Sequence, residues 1–188
     1  SYLHELLKRE DPEILIGAPP CTAFCRLREL SRAKRDPAVV LQEEREGIRH
    51  VDVACRAYTA QLDRGRMFLH EAPRDAWSWD LPSVKALKAR EGVYYVEGPM
   101  CRLDMVATDN LGTSYVRKVT GWLTNCSELA RVLSGKCSND DPFAGKVWHR
   151  HVHLINGRAR QAQIYPPKLV MAILRAVQRS LEKRSGLN

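Results

Sequence analysis

Apolar and polar positions fall into blocks along the chain, and the blocks predict its elements. "YLHELLKRE" (residues 2–10) carries an amphipathic helical pattern that Asp11-Pro12 breaks, and "EILIG" (13–17) has the length and apolarity of a buried strand. Pro19-Pro20 forbids that strand from continuing, and a basic loop, "RLRELSRAKRDP", follows. Val40, Ile48, Val51, Cys55, Tyr58 and Leu62 recur at helical spacing, which predicts a long helix from about Pro37 to Asp63. "RMFLHE" predicts a second strand ended by Pro73, and a helix around "SVKALKARE" leads to a third strand, "GVYYVEG". A fourth strand is expected at "GWLTN", then a short helix, "SELARVLSG". The final helix, "PPKLVMAILRAVQRSLEKR", opens with prolines where a first turn tolerates them. Strands alternating with helices predict an α/β fold with a parallel, doubly wound sheet. In such sheets ligands sit beyond the carboxyl ends of the strands. Cys21 and Glu71 are both expected just past such an end.

The 188 residues fit one domain with a sufficient core, and 44% hydrophobic with 28% charged residues is ordinary for a globular protein. No apolar run is long enough to cross a bilayer and no signal-peptide pattern opens the chain, so no membrane partner is expected. Six cysteines without dense spacing fit a reducing compartment, so the expected location is intracellular, nucleus or cytoplasm. The net charge of +8 is localised: from Lys146 to Asn188 nine Lys or Arg face a single acid, Glu182, and the rest of the chain balances. Such a surface attracts polyanions, nucleic acid first among them, although a solvated amphipathic helix gives the same composition.

Cys21 lies in "ILIGAPPCTAFCRL", on a proline-stiffened turn after an apolar run. A thiol there has a fixed backbone, and a following helix N-terminus would favour the thiolate, the attacking form. Glu71, in "HEAP", is a carboxyl at a second proline-fixed strand end, and a carboxyl held beside a thiolate can act as proton donor. A nucleophile with a nearby acid suits attack on an electron-poor ring whose nitrogen is protonated in the same step. Packing of Cys21, and helix capping or arginine pairing by Glu71, are the competing readings.

At these residues the chain resembles the DNA (cytosine-5) methyltransferase family. "GAPPCTAFC" keeps Pro19, Pro20, Cys21 and Phe24 of the family's Gly-Pro-Pro-Cys-x-x-Phe-Ser motif, with Cys25 in place of the serine. "LHEAP" keeps Glu71 but has Ala72 and Pro73 where the family has Asn and Val. "RQAQIYPPKLVMAILRAV" resembles the last motif in Pro166, Pro167 and the helix, with Ala162 and Gln163 replacing Gly and Asn. The run that includes "KVTGWLTN" and "HRHVHLINGRA" also resembles methylase-like domains of phages and protist retroelement polyproteins.

The resemblance implies a partial doubly wound, Rossmann-like methyltransferase sheet within one domain, 1–188. Its parts would be a strand–helix–strand core (1–75), a variable, possible target-recognition region (76–157) and a basic C-terminal helix (158–188). It implies that Cys21 attacks C6 of a flipped cytosine, that Glu71 holds and protonates N3, and that the methyl group comes from S-adenosylmethionine. Pro19, Pro20 and Gln163 would border that cofactor, and Thr22, Arg26, Arg158 and Arg160 would contact nucleic acid, DNA first. The family's Gly-rich cofactor half should precede "EILIG", where about ten residues stand, so a missing N-terminal half or a second chain is expected as partner.

Two other readings stand beside the enzyme: a catalytically degenerate descendant that binds nucleic acid or a partner without methylating, and a zinc-stabilised interaction domain of a larger polyprotein. Metal chemistry bears on the second. A zinc deaminase is excluded, because three residues separate Cys21 from Cys25 and His70-Glu71 is contiguous and comes later. A structural zinc site has suitable ligand types in Cys101, Cys126, Cys137, His149, His151 and His153, with Cys101, Cys137, His149 and His151 the favoured set. Alternate histidines in "HRHVHL" would put all three on one face of a strand. A polar strand face or base-contacting histidines would explain them equally. Cys55, on its helix stripe, reads as packing, and Trp77 and Trp79 as core or as flanks of a substrate loop.

Overall fold

Pro19 and Pro20 stop the first strand early. In a computed structural model of the chain, which describes residues 2–25, 31–140, 148–155 and 158–186, β1 covers Ile14–Gly17. It pairs in parallel with β2, Met67–Pro73, from Ile14 opposite Met67 to Gly17 opposite His70. The helix before β1, α1, is Tyr2–Glu10. Between the two strands runs α2, Pro37–Asp63, with the bounds that the spacing predicts. Its start is fixed locally: Pro37 occupies the first turn and the Asp36 carboxylate accepts the Ala38 amide at 2.8 Å. After β2 come α3 (Pro82–Lys88), β3 (Tyr94–Pro99), β4 (Val106–Asp109), β5 (Gly112–Tyr115), β6 (Val119–Thr124), α4 (Ser127–Leu133), one helical turn at Arg158–Gln161, and α5 (Pro167–Arg184).

The fold is α/β. A four-stranded sheet has the order β1-β2-β6-β3, and β4-β5 form a separate antiparallel pair. Contacts divide the chain into two compact units. The first holds Ser1–Tyr95 and Gly121–Ser127, and the second Val96–Thr120 and Glu128–Asn188, so the division runs through β3 and β6.

The core of the first unit lies between α2, α3 and β2. Val51, Cys55 and Tyr58 from α2 meet Phe68, Val84, Leu87 and Leu123. Cys55 is buried, and that burial pushes its thiol up to about 11, the behaviour of a packing residue. Tyr58 stacks on Phe68 with centroids 5.1 Å apart and meets the edge of His70 at 5.5 Å. A β-carbon at Gly17 would overlap the Tyr58 hydroxyl, so β1 approaches α2 this closely only with glycine there. Asn125 closes the far end of β2, accepting the Phe68 amide at 2.9 Å and donating to the Arg66 carbonyl at 2.8 Å.

In the second unit α5 buries Leu169, Ile173 and Ala176. It is tied to α4 by Glu128, whose carboxylate receives Lys183, Arg131 at 2.9 Å and Arg179 at 3.4 Å. The hydrogen bond from Lys183, followed by that from Arg131, holds this carboxyl down at about 2. The β4–β5 hairpin is absent from the sequence-based expectation. Its strands, "VATD" and "GTSY", are four residues each and mostly polar, so they carry no apolar alternation. Local chemistry makes the turn: the Asp109 carboxylate accepts the Leu111 amide at 2.9 Å, and Gly112 adopts φ +97°.

Candidate metal centre and the Cys21–Glu71 edge

The second unit draws two cysteines and two histidines from three stretches of chain into one cluster. Cys101 stands on a 3-10 turn, Met100–Leu103, directly after β3, and Asp104 ends that turn in the left-handed region at φ 60°. Cys137 follows the exit of α4. These two stretches are tied by backbone: Gly135 donates to the Glu97 carbonyl at 3.0 Å, and Arg102 donates to the Ser134 carbonyl at 2.6 Å. Both glycines at this crossing are needed. A β-carbon on Gly98 would overlap the Leu133 carbonyl, and one on Gly135, at φ +148°, would sit 2.5 Å from the Arg102 guanidinium.

The histidines arrive on an extended segment. Asn139 clamps it from both directions, donating to the His149 carbonyl at 2.7 Å and accepting the His149 amide at 3.1 Å. Val152 donates to the Tyr115 carbonyl at 2.7 Å, and Tyr115 and His151 form a parallel bridge. The Ser114 hydroxyl donates to the Arg150 carbonyl at 2.8 Å, and Arg150 reaches back to Asp109 at 2.6 Å and to the Gly112 carbonyl at 2.9 Å. The β4–β5 hairpin is thus the platform that holds the histidine segment.

One potential ligand atom from each of Cys101, Cys137, His149 and His151 lies within 4.8 Å of all the others. Cys137 Sγ is 3.5 Å from both His149 Nε2 and His151 Nε2, and the two nitrogens are 2.9 Å apart. A tetrahedral ion with metal–sulfur and metal–nitrogen bonds of about 2.3 and 2.0 Å holds sulfur and nitrogen roughly 3.5 Å apart, and two nitrogens roughly 3.3 Å apart. The Cys137–histidine distances match that geometry, the two nitrogens stand closer than it sets them, and the four atoms together are near enough to hold a metal ion. Burial, then the adjoining Cys137 thiol, pushes Cys101 up to about 12, and burial followed by the His149 charge lowers His151. Neutral imidazoles are the ligand form, and a bound cation would stabilise thiolates that burial alone disfavours.

The sequence overcounts the ligands. Cys126 is buried in the first unit, outside the cluster. His153 is exposed and also lies outside it. Residues 148–155 form no continuous strand, since only the His151 bridge to Tyr115 is made, so the alternation that would align all three histidines ends after two. Asn139 and Tyr115, which aim the histidines, carry no sequence signal. The paired glycines around Cys101 and Cys137 are the one hint the sequence offers.

In the first unit the parallel register puts the end of β1 level with His70. Glu71 is one position further along β2, at the sheet end from which the Pro19-Pro20-Cys21 turn departs. Glu71 is not past the end of its strand as expected. β2 has β6 as its other neighbour and runs on to Pro73, leaving Glu71 buried within it. Phe68 and His70 face Tyr58 on α2, so alternation turns Glu71 to the opposite face of the sheet. Cys21 is half-buried and directly precedes a 3-10 turn, Thr22–Phe24, whose Phe24 is buried edge-on against Trp77 at 4.6 Å. Trp79 sits edge-on to His70 at 5.3 Å and donates to the Pro73 carbonyl at 2.8 Å, which makes these tryptophans part of the packing.

The remaining expected contacts disperse. Pro19 is half-buried, and Pro20 and Thr22 are exposed in the first unit, while Gln163 is exposed in the second. Arg158 donates to the Thr108 carbonyl at 3.0 Å, bracing the hairpin. Arg26 and the side chain of Arg160 lie outside the described residues. His70, which the sequence did not single out, is 2% exposed: Nδ1 is 3.3 Å from the Tyr58 hydroxyl, and Nε2 has no hydrogen-bond partner among the described residues. Burial lowers it to about 4.

Compared with known proteins, the chain matches no family model, no curated protein and no solved structure. Among the described residues no helix is long and apolar enough to cross a membrane.

Proposed function

We propose that this chain is a cytosine-5-methyltransferase-like domain that acts on nucleic acid, with Cys21 as nucleophile and Glu71 as proton donor. The observation that carries this reading is the β1–β2 register, which brings a proline-fixed thiol turn and a buried carboxyl to one end of a parallel pair. The Cys21 thiolate would add to C6 of an extruded cytosine while Glu71 delivers a proton to N3, and C5 would thereby become nucleophilic. S-adenosylmethionine, when bound, would supply the methyl group. DNA containing 5-fluorocytosine, incubated with the chain, the cofactor-binding half expected as its partner and S-adenosylmethionine, is expected to give a denaturant-resistant adduct. Cys21→Ser should abolish it and Glu71→Gln should reduce it. No adduct from the wild-type chain bound to that DNA would overturn the catalytic reading.

The second unit supports a further element of the same proposal: Cys101, Cys137, His149 and His151 bind zinc. Two sulfurs and two imidazole nitrogens within 4.8 Å of one another are the observation in its favour. Four protein ligands leave no open position, which makes the role structural. One zinc per chain is expected by elemental analysis, with loss on Cys137→Ser and unfolding of the second unit by a chelator. Protein purified from zinc-supplemented cells without metal, and indifferent to chelators, would refute it.

A further inference from the structure

A 3-10 turn, Ser138–Asp140, starts directly after Cys137, and each of its residues reaches another part of the metal cluster. Asn139 donates its backbone amide to the Cys137 sulfur at 3.4 Å, while its side chain makes the two-way bond to the His149 backbone, ten positions further on. The Ser138 hydroxyl stands 3.4 Å from His149 Nδ1. Asp140 receives the Arg117 guanidinium at 2.5 Å, and the Arg117 carbonyl accepts at 2.9 Å the amide of Met100, the neighbour of Cys101. One short turn is thus bonded towards all three stretches that supply ligands. His149 depends on it most. The extended segment 148–155 makes only one bridge, two residues on at His151, so no strand ladder sets the His149 backbone. Its two ring nitrogens are also sorted: Nε2 is 3.5 Å from Cys137 Sγ and 2.9 Å from His151 Nε2, whereas Nδ1 faces Ser138.

We infer that Ser138 and Asn139 are positioning residues of the metal centre: Asn139 holds the His149 backbone at the ion, and Ser138 fixes the tautomer in which Nε2 is the ligand. The inference rests on the zinc reading above and names what makes that site specific. An imidazole that ligates through one nitrogen carries its proton on the other and donates it to a nearby acceptor, which sets both the tautomer and the ring orientation. A hydroxyl oxygen is such an acceptor. Neither side chain meets the ion itself, and both act through His149. The sulfur of Cys137 and the nitrogen of His149 are therefore delivered together, by two residues that follow the cysteine directly in the chain. Outer partners of this kind are worth about 10- to 100-fold in metal affinity.

The test measures zinc affinity of the full chain by competition with a chromogenic chelator, and site geometry by the absorption of the cobalt(II)-substituted protein. Asn139→Ala should weaken zinc binding by about 10- to 100-fold while still reaching one ion per chain at saturation. Its cobalt form should keep the sulfur-to-cobalt charge-transfer band, and its ligand-field bands should shift as water replaces His149. Ser138→Ala should weaken binding in the same direction, and Ser138→Thr, which restores the hydroxyl, should recover wild-type affinity. General destabilisation would lower affinity with the cobalt spectrum unchanged. That result, or wild-type affinity in both alanine variants, overturns the inference. A wild-type chain that takes up no metal overturns the zinc reading together with it, whereas a metal-binding wild type whose variants bind equally well removes the positioning role alone.

Discussion

Replacing Gly17 by alanine tests the packing that sets the Pro-Cys turn in place. The new β-carbon would overlap the Tyr58 hydroxyl and lie 3.1 Å from its ring carbon Cζ. Tyr58 is 1% exposed, stacked on Phe68 and hydrogen-bonded towards His70, so it has no free space to enter. Overpacking of this kind costs about 1–3 kcal/mol. Tyr58→Phe removes the overlapping oxygen and, alone, loses a buried hydrogen bond of about 1 kcal/mol. The double variant should therefore be more stable than the sum of the single effects by roughly 1–2 kcal/mol, because the oxygen that obstructs alanine is already gone. Urea unfolding followed by tryptophan fluorescence measures this in the first unit, where Trp77, Trp79 and Trp122 lie. An unperturbed Gly17→Ala midpoint, or additivity of the two changes within about 0.5 kcal/mol, would show that Tyr58 does not define the position of β1.

Acid should destabilise the two units in different windows. His70 is held neutral in the fold, so the unfolded chain takes up its proton first as pH falls from 6.5 towards 4. About 3 kcal/mol of stability should be lost across that window, and His70→Phe should remove the pH dependence of the urea midpoint there. Glu128 is depressed to about 2, so its contribution is complete above 4.5 and disappears as pH falls through 2; Glu128→Gln should flatten the acid limb of a thermal melt. Gly135→Ala should lower both thermal stability and zinc retention, because its left-handed backbone and the Arg102 contact set the distance from Cys137 to Cys101; unchanged zinc stoichiometry after dialysis would contradict this. Zinc removed by a chelator should expose Cys101 and Cys137, both buried in the fold, to a thiol-alkylating reagent. Peptide mapping reads the modification, and equal protection of both cysteines with and without the chelator would contradict the metal site.

The sequence by itself determined what depends on neighbours in the chain. The bounds of α2 follow from its apolar spacing and from Asp36-Pro37, the end of β1 from Pro19-Pro20, and the start of α5 from Pro166-Pro167. The types of residue able to bind a metal were equally legible, as was the basic end of the chain. Which of those residues meet was decided by tertiary structure. Cys101 and Cys137 are thirty-six positions apart, and they meet because Gly98 and Gly135 let two backbones cross. Cys126 has the same chemistry and is packed elsewhere, while His153 differs from His151 only in lying beyond the single bridge to Tyr115. Periodicity reports burial along one element, but a ligand set or a catalytic pair is a property of distances between elements. Those distances come from long-range packing, which leaves no local pattern to read.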